Sequence, residues 1–236
     1  MIKLLDILEN KILVPLRSKE ERAKNYLIAT QKKIQQYMKG GGKGDLDLSY
    51  TEIASLPPGL TVGGYLSLFS TKITSLPSGL SVGDTLNLGN TLITSLPSGL
   101  SVGGTLNLGN SKITLLPTDL KVGGGLYLSY TPIKSLPPGL TVGGYLYLDN
   151  CKNLTSLPPD LNVGGSLYLN GTKITSLPSG LSVGIDLNLY GIPIASLPPD
   201  LKVGGNLDLR GTPLSKSHTE EQIRQMAPDV DGYIYI

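Results

Sequence analysis

The sequence predicts an α/β-type solenoid, a right-handed superhelix in which short parallel strands stack rung upon rung. Three features that repeat in phase predict it. Leu-Pro pairs recur every 20 or 21 residues, Val-Gly follows each pair at a fixed distance, and Leu-x-Leu occurs nine times between Leu46 and Leu209. The Leu-Pro pairs begin at Leu56, Leu76, Leu96, Leu116, Leu136, Leu157, Leu177 and Leu197.

The repeat unit reads x-L-x-L-x-x-T-x-I-x-S-L-P-x-x-L-x-V-G-G. The alternation in Leu66-Ser67-Leu68 places both leucines on one face of a short strand. Because each rung leads to the next through one loop, we expect a parallel sheet of about ten short strands. Pro77 leaves little room for a helix, so the return segments are predicted to be mostly extended. The other apolar positions are expected to face inward: Ile73, Leu76, Leu80 and Val82.

Two further columns of the repeat have predicted backbone roles. The first Gly after Val is present in all eight copies. It indicates either a positive φ or a close approach to the neighbouring rung. A Thr column runs from Thr51 to Thr212, with Cys151 in the sixth position. Its small side chains are expected to hydrogen-bond the backbone that turns into the next rung.

Residues 45–214 resemble a leucine-rich repeat on the motif L-x-L-x-x-T-x-I-T-S-L-P-x-G-L. The 20-residue Leu-Pro form is similar to the repeats of bacterial type III-secreted effectors. More loosely, the layout resembles short leucine-rich-repeat proteins encoded by bacteriophages and uncultured bacteria. The sequence departs from the family in having mostly Thr at the usual Asn position and Gly where a leucine is expected before the strand. The resemblance implies a solenoid with a helical N-terminal cap.

We predict three parts: an N-terminal helical cap at 1–44, leucine-rich repeats at 45–214 with eight full units and a half unit, and a C-terminal cap at 215–236. The N-terminal cap is predicted to be a helical hairpin of residues 2–14 and 18–39, broken near Pro15 and packed on the first rung. Ser18 and Glu21 form a capping-box pattern for the second helix, and the glycines from Gly40 end it.

The C-terminal cap is predicted to contain a short helix that begins at Thr219, with Gln222 as its capping partner, and stops before Pro228. The run Tyr233-Ile234-Tyr235-Ile236 repeats the strand alternation and predicts a tenth strand. Its free edge has two interpretations. It is either a simple cap or a site of self-association or partner pairing.

The composition argues against an enzyme. One His and one Cys exclude a Cys/His zinc site and a disulfide within the chain. Cys151 is expected to be a buried thiol, and His218 an exposed residue with no neighbouring catalytic group. We therefore predict no catalytic, cofactor-binding or metal-binding residues.

The net charge of +2 does not favour a nucleic-acid partner, although the first 44 residues carry ten Lys and Arg against four Asp and Glu. No apolar run is long enough to span a bilayer. Asp6 and Glu9 interrupt the apolar start, so no cleavable signal peptide is expected. The predicted location is cytoplasmic, or a site reached by delivery or assembly from the cytoplasm.

The outward strand positions form the face that repeat solenoids use for binding. Two alternatives explain the aromatic residues there: a hot spot for a protein partner, or stacking between rungs for stability alone. The predicted function is a non-enzymatic protein–protein interaction module that uses this face. The alternative is a structural or assembly protein, such as a phage particle component, that associates through its caps. The predicted partner-binding residues are Tyr65, Phe69, Tyr127, Tyr145, Tyr147, Tyr168 and Tyr190.

Overall fold

The computed structural model describes residues 18–236. These residues form a parallel-strand solenoid of about eight turns between an N-terminal helix and a C-terminal cap of helices and one strand. The solenoid predicted from the repeats is confirmed. The predicted helix at residues 2–14, and with it the predicted hairpin, lies outside the described residues.

The nine Leu-x-Leu motifs and the C-terminal Ile234–Tyr235 form one parallel sheet of ten strands, as predicted. Each strand pairs in register with the next rung, so that Leu46 lies opposite Leu66, and Leu66 opposite Leu86. The strands are Leu46–Asp47, Leu66–Ser67, Leu86–Asn87, Leu106–Asn107, Leu126–Tyr127, Leu146–Tyr147, Leu167–Tyr168, Leu187–Asn188, Leu207–Asp208 and Ile234–Tyr235.

The return path contains a second parallel sheet, of eight strands, that the sequence analysis did not predict. Val62 lies opposite Val82, and the N–H of Gly83 donates to the carbonyl of Val62 at 2.8 Å. The prediction of mostly extended return segments was therefore incomplete, because these segments also pair between rungs. The strands are Thr61–Val62, Ser81–Val82, Ser101–Val102, Lys121–Val122, Thr141–Val142, Asn162–Val163, Ser182–Val183 and Lys202–Val203.

The core is a set of stacked apolar columns between the two sheets. The strand leucines are fully buried, as are the isoleucines of the return path. In the second rung, the predicted inward positions Ile73, Leu76, Leu80 and Val82 are all at most 8% exposed. Each rung therefore buries its apolar side chains against the rungs above and below, so that a rung has no complete core of its own.

The first glycine after each valine lets neighbouring rungs approach closely. A Cβ atom on Gly83 would lie 2.2 Å from the carbonyl oxygen of Gly63. This glycine has no positive φ. Of the two predicted explanations for it, the close approach between rungs is therefore confirmed, and the positive φ is wrong. The positive φ occurs instead in the Pro-x-Gly turn, as at Gly79 with φ 74°.

The threonine column hydrogen-bonds the backbone at the point where each strand ends. The hydroxyl of Thr71 donates to the carbonyl oxygen of Leu68 at 2.7 Å, and every other threonine of the column repeats this contact. The predicted hydrogen bond to the turning backbone is confirmed, because Leu68–Thr71 is the turn by which the chain leaves the strand towards the next rung. Cys151 differs, since its thiol donates to Leu128 of the preceding rung at 3.1 Å.

The N-terminal helix α1 spans Lys19–Lys39 and begins with the predicted capping box of Ser18 and Glu21. Gly40 is its C-cap, so the helix stops at the glycines as predicted. Ile34 is buried against the first rungs, and the Tyr37 hydroxyl lies 2.7 Å from the carbonyl oxygens of Gly42 and Gly44.

The C-terminal cap contains helix α2 at Pro213–Ser217, which was not predicted, and helix α3 at Glu220–Met226. Helix α3 has the predicted capping box of Thr219 and Gln222. Strand Ile234–Tyr235 pairs in parallel with Leu207–Asp208, which confirms the tenth strand. Helix α2 crosses the predicted boundary between residues 214 and 215, and the division into three parts stays a prediction.

Replacing the close-approach glycine should destabilise the solenoid. In Gly123→Ala the new Cβ would lie 2.2 Å from the Gly103 carbonyl oxygen, so two rungs must separate. We expect the free energy of unfolding, measured by urea denaturation, to fall by about 2 kcal/mol or more. The control is Gly109→Ala, whose Cβ would meet no atom closer than the Asn107 side-chain oxygen at 3.3 Å. Equal stability of the two variants would contradict the role of the glycine column.

Candidate protein-binding face

The outward side chains of the ten-stranded sheet form rows that run along the solenoid axis. Residues in the same row lie on neighbouring strands about 4.8 Å apart. The register places Tyr127 opposite Tyr147, and Tyr147 opposite Tyr168. Three of the predicted residues therefore occupy one row on three consecutive rungs.

These three tyrosines form a continuous ring stack. The ring centroids of Tyr127 and Tyr147 are 4.6 Å apart with an interplanar angle of 18°, and those of Tyr147 and Tyr168 are 4.4 Å apart at 2°. Tyr145 projects beside the stack, with its ring 6.2 Å from that of Tyr147 and tilted by 44°. The stacked residues are half-buried, whereas Tyr145 is 42% exposed. We call these four residues the tyrosine cluster.

The stack changes the acidity of its central member. Burial, reinforced by the neighbouring Tyr168 and Tyr127, raises the pKa of Tyr147 to about 12. An ionised phenolate would lose hydration in this position and would face two adjacent phenols. The hydroxyl of Tyr147 therefore stays protonated, and remains a hydrogen-bond donor, throughout the neutral range.

The polar residues in the same row as the stacked tyrosines accept hydrogen bonds from backbone N–H groups, which a tyrosine side chain in this row does not do. Their side-chain oxygens accept a hydrogen bond from the backbone N–H two residues later, as the Asn107 Oδ1 does from the Gly109 N–H at 2.9 Å. Beside the cluster, the N–H of Ser129 has no acceptor among residues 18–236. The rungs that use a polar acceptor contain Asp47, Ser67, Asn87, Asn107, Asn188 and Asp208.

Asp149 is a residue of this face that the sequence analysis did not single out. It is half-buried next to the tyrosine cluster, and burial raises the pKa of its carboxyl group, although the N–H groups of Asn170 and of Asp149 itself counteract the effect. Its outward position, two residues after Tyr147, could be predicted from the repeat. Its burial could not be predicted, because no spacing in the repeat distinguishes it from the exposed residues of the same face.

The other three predicted residues lie away from the cluster. Phe69 contacts Tyr50 edge-on at 5.4 Å, and Tyr65 is half-buried on the same rung as Phe69. The rungs of Asn87 and Asn107 separate this pair from Tyr127. The seven predicted residues therefore form three groups and not one patch.

Tyr190 belongs to a third group near the C-terminal end. The Arg210 guanidinium lies 5.9 Å from the ring centre of Tyr190 and 5.5 Å from that of Tyr235. It also pairs with Asp208, with a shortest distance of 2.7 Å. Tyr235 lies here because the predicted tenth strand pairs with Leu207–Asp208, which brings its ring beside Arg210.

The structure offers little support for catalysis. Cys151 is fully buried, and burial raises the pKa of its thiol, which disfavours the reactive thiolate. His218 is half-buried, not exposed as predicted, and its Nδ1 lies 2.8 Å from the Ser217 hydroxyl oxygen. Within residues 18–236 no group of three or more His, Cys, Asp and Glu side chains is arranged to hold a metal ion. No described helix is both long and apolar enough to cross a membrane.

No protein-family model matches the chain, and no curated protein matches its sequence. Among solved structures it is similar to a leucine-rich-repeat protein of Leptospira interrogans. That likeness has 17% sequence identity, covers 80% of this chain and 89% of the other, and has a TM-score of 0.30. At these values the likeness carries no functional inference. The tyrosine cluster therefore has to be interpreted from its own geometry.

Titration of single tyrosines tests the stack. In the unchanged protein we expect Tyr147 to ionise at about pH 12, followed by NMR of ¹³C-labelled tyrosine. In Tyr127→Ser/Tyr168→Ser its pKa should fall towards 10, the ordinary value for tyrosine, because both neighbouring rings and the burial they provide are removed. Tyr65→Ser is the control and should leave it unchanged.

The raised pKa also predicts a loss of stability in alkali. The folded state favours the protonated phenol, so the stabilisation from Tyr147 is complete below about pH 10 and is lost as the pH rises towards 12. A Tyr147 that ionises near pH 10 in the unchanged protein would contradict the stacked arrangement.

Proposed function

We propose that this protein is a non-enzymatic protein-interaction module that binds a protein partner on the exposed face of its ten-stranded sheet. The observation that carries the proposal is the tyrosine cluster, in which Tyr127, Tyr147 and Tyr168 stack on consecutive rungs and Tyr145 projects beside them. Tyrosine is enriched in interface hot spots because it offers a large contact area with a polar tip.

The cluster is ordered before any partner arrives. Stacking at 4.4 and 4.6 Å holds the three rings, and the sheet beneath them is hydrogen-bonded from rung to rung. Binding would therefore lose little side-chain entropy, which favours affinity. A flexible loop carrying the same side chains would have to be ordered by its partner.

The geometry also suggests which atoms a partner would meet. The stacked rings contact one another through their faces, so a partner would meet their edges and their row of hydroxyl groups. The tilted and more exposed ring of Tyr145 supplies an apolar surface. The free N–H of Ser129 adds a donor next to the row. This combination suits a peptide segment that has one apolar side chain and several carbonyl acceptors.

Tyr65, Phe69 and Tyr190 would belong to the periphery of the same interface. From the rung of Phe69 to that of Tyr190 there are six steps of about 4.8 Å, or roughly 29 Å. A standard interface of about 800 Å² on each partner has similar dimensions. We therefore expect the tyrosine cluster to dominate the affinity and the outer aromatic residues to contribute less.

A second candidate, self-association through the C-terminal cap, rests on the last strand. Ile234–Tyr235 pairs on one side only within the described structure, and Tyr233, Tyr235 and Ile236 are 72%, 43% and 47% exposed. An unpaired strand edge with apolar neighbours is a template for pairing with another chain. This candidate would make the protein a structural or assembly component.

Substitution of the cluster separates binding from rung stacking. The triple variant Tyr127→Ser/Tyr147→Ser/Tyr168→Ser should remain folded, lose about 1–3 kcal/mol of unfolding free energy from two ring pairs, and bind its protein partner at least about 100-fold more weakly. Affinity is measured by surface plasmon resonance with a partner identified using the unchanged chain.

Tyr145→Ser sharpens this test, because Tyr145 is outside the stack and 42% exposed. It should weaken binding and leave the unfolding midpoint nearly unchanged. Asn107→Ser, in the same row as the stack, is the control and should preserve affinity. Loss of stability with unchanged affinity in the triple variant would assign the cluster to rung stacking alone.

The solution mass distinguishes the two candidates. For a module that acts through the sheet face, light scattering should give a monomer over a wide concentration range. A dimer or larger species that disappears in Ile236→Pro would favour assembly through the C-terminal strand. Ile236 is equivalent in register to Leu209, whose N–H bonds the following strand, so proline there removes an N–H that faces the free edge.

A further inference from the structure

The outer side of the return segments forms a third surface, between the two sheets. In each rung the residue after the threonine column points outward, and the two residues after the next buried position are also exposed or nearly so. In the second rung these are Lys72, Thr74 and Ser75, while Thr71 and Ile73 point inward. We call this surface the return face.

The return face carries positive charge without carboxylates. From the second rung to the eighth, no Asp or Glu lies in its segments, although Glu52 occupies the first rung. Its lysines are all exposed, and none forms an ion pair within the described residues. They are Lys72, Lys112, Lys134, Lys152 and Lys173.

Two leucines are exposed among these lysines. Leu92, between the rungs of Lys72 and Lys112, is 47% exposed, and Leu115 is 57% exposed where most other rungs have serine. Nothing in the fold requires an apolar side chain at either position, since the buried columns beside them are filled by Ile93 and Leu116. The leucines and lysines are presented on the same side.

The rows of the return face are held straight by the backbone. Lys134 N–H donates to Thr114 O at 3.2 Å, and Lys173 N–H to Leu154 O at 3.1 Å. Both flanking sheets are paired in register. From Lys72 to Lys173 there are five rung steps, or roughly 24 Å. The lysines therefore project from a rigid, extended surface and not from a mobile tail.

We propose that the return face docks on an anionic lipid bilayer, with lysines at the headgroup phosphates and Leu92 and Leu115 in the interface. Charge complementarity favours a lipid surface as the partner, because unpaired lysines are attracted to anionic headgroups. The exposed leucines would also bury apolar surface by entering the headgroup boundary. A nucleic acid fits less well, because the face has no arginine for bidentate phosphate contacts and no aromatic residue for base stacking.

The turns that border the return face carry carboxylates as well as lysines. Asp119 and Asp200 lie in the turns that follow the return segments, where Asp119 accepts from the Gly99 N–H at 2.8 Å and Asp200 from the Ser179 hydroxyl at 2.6 Å. Lys121 and Lys202 follow each of them by two residues. Charges of both signs therefore alternate there, which makes these two lysines suitable controls.

The test measures co-sedimentation of the full 236-residue chain with vesicles. Vesicles of equal parts phosphatidylserine and phosphatidylcholine should bind it, binding should weaken with salt, and pure phosphatidylcholine should not bind it. Lys112→Gln/Lys134→Gln/Lys173→Gln should weaken binding about 100-fold, since each lysine near an anionic surface contributes roughly a fivefold factor. Leu92→Ser/Leu115→Ser should weaken it roughly tenfold.

The matched control is Lys121→Gln/Lys202→Gln/Lys216→Gln, in which Lys216 is an exposed residue of helix α2. It removes the same charge elsewhere and should bind nearly as the unchanged protein does. An equal loss in this control would show diffuse attraction and overturn the proposal. Undiminished binding by the return-face variant would assign the attraction to other residues, such as the basic first 44. Tighter binding to polyuridylate than to vesicles, lost in the return-face variant, would replace lipid with nucleic acid.

Discussion

Contact between the glycine after each valine and the carbonyl of the equivalent glycine one rung earlier sets the spacing of the whole solenoid. A side chain at this point would meet a carbonyl oxygen at 2.1 to 2.5 Å in the rungs from Gly83 onward. With glycine there, the rungs come close enough for both sheets to form hydrogen bonds and for the leucine columns to pack without gaps. Two-residue strands are stable here because each is one layer of a long, continuous stack.

The same spacing produces the two candidate surfaces. Strand separation near 4.8 Å matches the distance at which aromatic rings stack, so Tyr127, Tyr147 and Tyr168 form a rigid column simply by occupying one row. On the return face, it sets lysines and leucines in straight rows. A solenoid can therefore present different chemistry on different sides without changing its core, because the outward side chains are not part of the buried apolar columns.

Much of this arrangement could be predicted from the repeat, and the failures have physical causes. The alternation of Leu66 and Leu68 was enough to predict the ten-stranded sheet. The second sheet was missed because a two-residue strand such as Ser81–Val82 contains only one inward position and shows no alternation. The row of Tyr127, Tyr147 and Tyr168 followed from the repeat phase. Their stacking, the burial of Asp149 and the approach of Tyr235 to Arg210 depend on side-chain positions that no sequence spacing encodes.

Residue-resolved amide hydrogen exchange by NMR tests the central claim, that both sheets are bonded continuously from rung to rung. The account predicts two protected groups in most of the 20-residue units: the strand leucines, such as Leu86 and Leu88, and the glycine after valine, such as Gly103, whose N–H donates to Val82. Protection should be weakest towards the solenoid ends. Protection of the leucines alone, with rapid exchange at the glycines, would mean that the second sheet does not form and would contradict the account.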